Sequence, residues 1–449
     1  MHRSLLWTTA VLAACHSYSP APVDLTAHLA TFLARLPEPA AMAAAIGAET
    51  SPFTVDLTDG LDRREGRLVA ICFFPECRTA RARAGIAEAE RDHAGRLPDP
   101  ELSFDVARIL ETVAHPWIVG GALGIPLPIS GRLARQRDLA SAMVDEQLAA
   151  VWCSERAAAD AVDAAWVRWS HEHARVELLA EVCSRLTGLC TIAERLVADG
   201  TLMHQSARVF TLERTQRELD LLAAQQTAAG LELELKRRLG LHPAAKVTFV
   251  PELAVDLQIA DAGVRLGTLD LGPRVLPARI AHRRAERELA LEVEKQWPDL
   301  VLAPGFAEED AQPRVALGLS LPLPLFGGND AAIARSRSAR DAAAAALRQS
   351  FEIATQELAA AELRLTQVQA RRAFVTERIV PLAEQQVEDG RRLAELGQLE
   401  PLLLLDALSR ARDARLQALD ASLQEALAVV AINEQGAGPQ LPAAEEPPR

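Results

Sequence analysis

Leu319 to Asn329 reads LSLPLPLFGGN, and its reading decides the fold. The residues leading into it, Val315 to Leu321, alternate apolar with small, as a half-buried strand does. Pro322 and Pro324 follow, and proline has no N–H to give to a sheet. After Gly327-Gly328 the chain becomes an alanine-rich run of helical composition. The same succession occurs earlier, where Leu123 to Gly131 reads LGIPLPISG and sets Pro126 and Pro128 against Pro322 and Pro324. Upstream, RLPDPELSF (Arg96 to Phe104) stands against QWPDLVLAP (Gln296 to Pro304). Downstream, ADGTL around Gly200 stands against ELGQL around Gly397. These landmarks keep their order at an offset of roughly 196 to 200 residues, so the chain is a tandem duplication.

Each copy reads the same way. A helix (roughly Glu76 to Gly95, then Val275 to Gln296) is stopped by Pro98-Asp99 or Pro298-Asp299. Two short strands follow, about Pro100 to Ile109 and Ile118 to Leu127 in the first copy. In the second they are about Asp299 to Glu308 and Arg314 to Leu323. Beyond the prolines a helical run continues to Gly200 or Gly397, about 65 to 70 residues and so roughly 100 Å. Pro381 predicts a kink or boundary late in the second run. A return helix then ends near Leu239-Gly240 and near Asn433-Glu434. Leu358, Ala361, Leu365 and Val368 recur every three to four residues, giving one buried stripe per helix.

The strands narrow the class. Val315, Leu317, Leu319 and Leu321 share one face while Ala316, Gly318 and Ser320 share the other. Leu102, Phe104 and Val106 alternate with Ser103 and Asp105 in the first copy. Such strands suit a sheet between lipid and water. Four strands cannot close alone, and open edges in hydrocarbon leave backbone groups unpaired at several kcal/mol each. Several chains must therefore share one barrel. The competing architecture, a small sheet on soluble helices, does not account for helices of about 100 Å.

Of 449 residues 49% are hydrophobic but only 4% aromatic, with a single Tyr, and a net charge of −13 speaks against nucleic acid as a partner. Met1-His2-Arg3, the apolar Leu5 to Leu12 and Leu12-Ala13-Ala14-Cys15 read as a secretory signal. The Cys after Leu-Ala-Ala resembles a lipoprotein lipobox, which makes Cys15 the expected lipid anchor. Cys72 and Cys77 bracket CFFPEC, a loop that a disulfide would close in an oxidising compartment. Cys183 and Cys190 are about 10 Å apart along one helix, too far for a bond between them.

The pattern of signal, lipobox and a twice-repeated helix, Pro-Asp, strand, strand, Pro-Leu-Pro, long helix, Gly and return helix resembles the TolC-type outer membrane efflux proteins. The lipidated members of drug and heavy-metal efflux systems are the most similar. The resemblance spans roughly Gly66 to Glu434 and is sharpest in PLPLFGGNDAAIARSRSA, in ELGQLEPLLLLDA (Glu395 to Ala407) and in FFPECRTARARAGIAEAE, where Phe74 replaces the family's Asn. It implies a mainly α, tandem-repeat fold with a small membrane β part. Each chain would give four strands to a trimeric twelve-strand barrel above a helical tunnel. It further implies a homotrimer in the outer membrane, a periplasmic adaptor and an inner-membrane pump.

The implied organisation is a signal peptide (1–14), a lipid-anchored segment (15–65), a first repeat (66–241), a linker (242–271), a second repeat (272–435) and a disordered tail (436–449). The resemblance places Asp199, Gly200, Thr201, Glu395, Gly397, Gln398, Leu399 and Glu400 at the periplasmic tips where an adaptor docks. Leu399 stands where some members carry a basic residue that holds the pore shut, and Asp199, Glu395 and Glu400 would ring one axis. Pro126, Pro128, Pro322, Pro324, Gly327 and Gly328 form the expected strand-to-helix junctions.

No catalytic constellation is present. His171 and His173 lie two apart on different faces of a helix, so they do not form a metal pair. GGALG (Gly120 to Gly124) has no βαβ unit around it and reads as small residues facing a lumen. No enzyme activity, metal or cofactor is expected. The leading expectation is a passive exit duct for small molecules or metal ions. The exit duct of a type I protein secretion system shares its architecture, and a periplasmic adaptor or coiled-coil scaffold is the alternative of another class.

Overall fold

The computed structural model describes residues 18–46, 58–110, 116–259, 261–309, 312–324, 327–395 and 400–436. Three helices open it: α1 (Leu25–Leu33), α2 (Pro39–Ile46) and α3 (Arg63–Phe73). The first repeat comprises α4 (Pro75–His93), β1 (Glu101–Arg108), β2 (Trp117–Leu127), α5 (Arg132–Ala198) and α6 (His204–Arg238). A connection holding α7 (Ala262–Gly267) and a 3-10 turn (Leu269–Leu271) leads to the second repeat. That repeat comprises α8 (Leu276–Glu294), β3 (Leu300–Glu309), β4 (Gln312–Ser320), α9 (Asp330–Phe374), α10 (Val380–Glu395) and α11 (Pro401–Glu434).

Helix α5 runs for 67 residues, about 100 Å. Its buried Leu179, Cys183, Leu186, Cys190 and Ala193 repeat at spacings of three and four, a coiled-coil stripe against α6. In the second repeat the long rod is α9 and α10 joined through a π-turn, Val375–Ile379. Pro381 has no N–H for the carbonyl of Glu377, and the helix widens just before it.

Each long rod carries two shorter helices. Along α5, the end of α6 meets the start of α4 at Gly240, whose φ of 68° belongs to the left-handed region. The Gly240 N–H donates to Arg237 O and the Leu241 N–H to Lys236 O, closing the helix. A Cβ at Gly240 would stand 2.6 Å from Phe73 O, so only glycine lets the two helix ends abut. In the second repeat the end of α11 meets the approach to α8, where a Cβ on Gly272 would stand 3.1 Å from Gln435 O.

At this level a belt of short elements wraps α5. The Asp62 side chain accepts from the Glu65 N–H and the Glu65 carboxylate accepts from the Asp62 N–H, a capping box that starts α3. Trp166 of α5 is fully buried among Val69, Phe73, Leu235, Leu239 and Phe249. Its ring lies where a Cβ on Gly66 would be, 2.6 Å away, so α3 approaches at a residue without a side chain. Trp166 meets Trp169 and Phe249 edge-to-face, contacts worth about 0.5–1.5 kcal/mol each beyond burial. Chain 242–272 joins the belt through a bridge between Leu61 and Phe249.

The sheet is antiparallel throughout, in the order β1-β2-β3-β4. One strand end differs clearly from the sequence expectation. Strand β4 ends at Ser320 instead of Leu323, ahead of Pro322. Strand β2, by contrast, runs through Pro126 to Leu127 as expected, and Pro126 pairs with Val301. The pairing of β1 with β2 stops at Gly124, so beyond it no strand on that side needs the N–H that Pro126 lacks. The CFFPEC loop also differs from a disulfide-closed one. Cys72 and Cys77 are free thiols, both buried, on either side of the α3–α4 break at Phe74.

Candidate conduit: the sheet faces and the helix tips

The register sorts the sheet into two chemically distinct faces. Directly opposed residues share a face, so Leu102 and Leu123, Phe104 and Gly121, and Val106 and Val119 line one side of β1 and β2. Across β3 and β4 the same side carries Leu302 with Leu319, Pro304 with Leu317 and Phe306 with Val315. Pairing of Gly121 with Phe306 and of Ile125 with Leu302 joins the two halves. These side chains have no cover within the chain, and Val315 and Leu317 are 89% and 71% exposed. The opposite side carries Ser103, Asp105, Gly120, Ala122, Gly124, Ala303, Gly305, Ala307, Arg314, Ala316 and Gly318. Three of the five residues of GGALG thus lie on the small-residue side. Gly121 and Leu123 do not, which corrects the reading of that run as wholly lumenal.

The junctions beneath the sheet use two devices. In the first repeat Pro128 follows β2 and α5 starts at Arg132, whose guanidinium pairs with Asp299 at 2.5 Å. In the second, Pro322 and Pro324 follow β4, and Gly327, Gly328 and Asn329 all have positive φ (116°, 32° and 68°). Asn329 donates through Nδ2 to the Glu292 carbonyl at 2.9 Å and to its carboxylate at 2.8 Å, tying the turn to α8. The hydrogen bond from Lys295 and that from Asn329 hold the Glu292 carboxyl below its usual range. Sequence reading missed Asn329; an Asn after Gly-Gly, able to take positive φ, was the available signal.

At the opposite ends of the rods, Asp199 caps α5 and Gly200 turns the chain with φ 74°. The Thr201 N–H donates to Leu196 O at 2.9 Å, and the Thr201 hydroxyl donates to the same carbonyl. Glu400 is the N-cap residue of α11, with Pro401 in its first turn, and Glu395 ends α10. Asp199 and Glu400 are exposed. Gly397, Gln398 and Leu399 lie outside the described residues, as does Cys15.

Between the two hairpins, above the tips, lies a cleft of about 270 Å³ with an apolar floor that includes Val182, Leu186 and Leu405. Two arginines of α11 bridge across it, and nothing in the sequence pairs them with their partners. Arg412 meets Glu213 of α6 at 3.3 Å, while Arg415 meets Glu181 of α5 at 3.5 Å and Glu384 of α10 at 2.8 Å. The Glu384 hydrogen bond holds the Arg415 guanidinium above its usual value. Higher up, His171 of the HEH run is buried, with Nε2 2.9 Å from Asp420 of α11, and His173 stacks on Trp169.

The belt carries a second charged set. Arg63 pairs with Asp163 at 3.1 Å and with Glu252 at 3.3 Å, Arg67 with Asp163 and Asp160, and Arg156 with Asp160 at 2.8 Å. Burial pushes both aspartates up, against the pull of their arginines. Among the described residues no helix is long and apolar enough to cross a membrane, which says nothing of strands.

No protein-family model matches the chain, and no curated protein matches it as a relative. Solved structures do. The outer membrane protein VceC of Vibrio cholerae superposes with a TM-score of 0.68 at 17% identity, over 84% of this chain and 96% of that one. The CmeC outer membrane channel of Campylobacter jejuni gives 0.65 at 12% identity, over 87% and 92%. The open state of the MtrE outer membrane channel of Neisseria gonorrhoeae gives 0.62 at 15% identity, over 83% and 88%. At such identities the likeness speaks for the architecture, and the chain has the TolC-type fold of these outer membrane channels.

Proposed function

We propose that the chain is the outer-membrane exit duct of a tripartite efflux system, passively conducting small molecules or metal ions that an inner-membrane pump expels through a periplasmic adaptor. The observation that carries this reading is the sorting of the four-stranded sheet into an uncovered apolar face and a small, polar one. That is the partition a barrel wall needs between lipid and water.

The edges support closure by several copies, for which we propose a homotrimer. Strands β1 and β4 each have one unpaired edge, and in the helical layer α8 packs between α5 and α9. Its counterpart α4 packs on α5, while Ala82, Gly85, Ile86 and Ala89 on its other side lie open. By the repeat, that side takes α9 of the next copy. A ring of copies pairs every edge, whereas open edges in hydrocarbon do not persist. The exposed tips at Gly200 and Glu400 supply the adaptor's docking end, and Cys15 the lipid anchor in the outer membrane.

The test is reconstitution of the detergent-extracted chain in planar bilayers, with deletion of its gene read alongside. Stepwise ohmic conductance, and a deletion strain hypersensitive to small toxic compounds or metals, are expected. A chain that extracts without detergent and gives no conductance refutes the duct. A deletion strain that instead retains a secreted protein assigns the duct to type I secretion.

A further inference from the structure

The apolar face is not uniform, and its one notch lies in line with a cation. Gly121 of β2 stands between Phe104 of β1 and Phe306 of β3 in a single row. With Leu102, Leu123 and Pro304 these residues line an open groove of about 560 Å³. The Phe104 ring leans over the glycine, 3.3 Å from where a Cβ would be. Along β1 from Phe104 the face continues through Val106 to Arg108, and along β2 from Gly121 through Val119 to Trp117. Four residues of strand put Arg108 about 14 Å from Phe104, at the end of the sheet away from the tunnel helices.

There the Arg108 guanidinium lies over the Trp117 ring, 5.5 Å from its centroid. Among the described residues Arg108 has no carboxylate within ion-pair distance, whereas Glu308 lies on the same face opposite Val119. A cation without a carboxylate on it, at the rim of a lipid-facing surface, needs an anion at headgroup depth. An aromatic ring beside it is the side chain enriched at that depth.

We infer that Arg108, Trp117 and the groove over Gly121 form a binding site for a phosphate-bearing acyl lipid of the leaflet distal to the tunnel, with the phosphate on Arg108 and one chain lying between Phe104 and Phe306. This rests on the barrel reading proposed above. Guanidinium and phosphate meet through charge-assisted, two-pronged hydrogen bonds. The groove supplies the apolar contact that a free phosphate does not use. A copy of the site on every chain of a closed ring would hold a collar of lipid around the barrel.

The experiment is native mass spectrometry of the full chain in detergent with three probes. Dioleoyl phosphatidylglycerol carries both parts, dioleoylglycerol the chains alone, and glycerol phosphate the phosphate alone. Retention of phosphatidylglycerol is expected to exceed that of dioleoylglycerol about tenfold, the ratio that one charge-assisted contact of modest strength gives. It should fall about as far in Arg108→Ala, recover only in part in Arg108→Lys, which keeps the charge but not the fork, and fall in Gly121→Leu, which fills the groove. Thermal melts of each variant establish that the fold is intact. Equal retention of dioleoylglycerol, or unchanged retention in Arg108→Ala, overturns the site. Displacement of the lipid by equimolar glycerol phosphate also overturns it, since a free-anion site would do the same. A chain that leaves the membrane without detergent removes the barrel and the site together, whereas a detergent-dependent chain indifferent to Arg108→Ala removes the site alone.

Discussion

Leu317→Arg and Ala316→Arg are neighbours on β4 that should behave as opposites. Leu317 lies opposite Pro304, between Val315 and Leu319 on the apolar face, and Ala316 lies opposite Gly305 on the small-residue face. The nine residues of β4, at about 3.4 Å each and tilted by roughly 40°, rise about 23 Å. That is close to the ~25 Å apolar band of outer-membrane barrels, and it puts Leu317 near mid-depth. An arginine on the lipid face at that depth costs about 2–4 kcal/mol, so about 6–12 kcal/mol for a ring of three identical chains. In the proposed barrel the same side chain at 316 would enter the lumen at almost no cost, because its face is already lined by small residues and Arg314. Refolding into lipid vesicles across a urea series reads the difference directly. Leu317→Arg should lose the folded state at markedly lower urea, with Ala316→Arg near the parent. Equal destabilisation by both substitutions, or a harmless Leu317→Arg, would falsify the assignment of faces and with it the barrel.

Three further outcomes follow from the helices. Gly240→Ala should destabilise the chain far more than Gly200→Ala in chemical denaturation. Both glycines have positive φ, which costs other residues about 1–2 kcal/mol, but Gly240 alone has Phe73 O in the way of a Cβ. Glu434→Gln should raise the melting temperature at pH 7.5 and leave it unchanged near pH 4. Burial, then the charges of Asp160 and Asp163, raise the Glu434 carboxyl. A group raised in the fold contributes its stability below the unfolded value and loses it as pH climbs through the folded one, so identical shifts at both pH values would contradict this account. Arg412→Ala combined with Arg415→Ala should enlarge the bilayer conductance with little change in the thermal melt. Each truncation removes partly exposed ion pairs across the hairpins worth about 0–1 kcal/mol net, and an unchanged conductance would show that the cleft does not set the aperture.

What could be read from the sequence was local. Strand alternation at Val315 to Leu321, the proline pairs, Gly200 and the unbroken helical run after Leu133 all express backbone chemistry within a few residues, and the repeat doubled each signal. Strand ends were less legible, because whether a proline ends a strand depends on its neighbour. Pro126 stays paired with β3 only because β1 has already stopped at Gly124. Contacts between repeats left no trace in the pattern. Glu213 and Arg412 are separated by 199 residues, and nothing near either one marks its partner. Gly240 read as the end of a helix, but its second task of admitting the Phe73 carbonyl appears only when α6 and α4 are laid end to end.

The two charged sets sit at different depths, and depth decides how firmly each holds. In the belt, Asp163 is 1% exposed and meets both Arg63 and Arg67, so pulling both arginines away strands its charge from water at a cost of about 3–5 kcal/mol. Near the tips, Glu181 and Glu384 retain 47% of their side-chain exposure, and water and salt stand ready to replace Arg415. Exposed pairs of that kind are worth about 0–1 kcal/mol net. The rods are therefore pinned at the belt by contacts that do not exchange with solvent, and joined near the tips by contacts that do. The π-turn at Val375–Ile379 lies between these levels, in the rod that continues into α10. Separating the hairpins below that turn costs less than any rearrangement above it, so the end of the rods near Gly200 and Glu400 is where the chain can widen without disturbing the sheet.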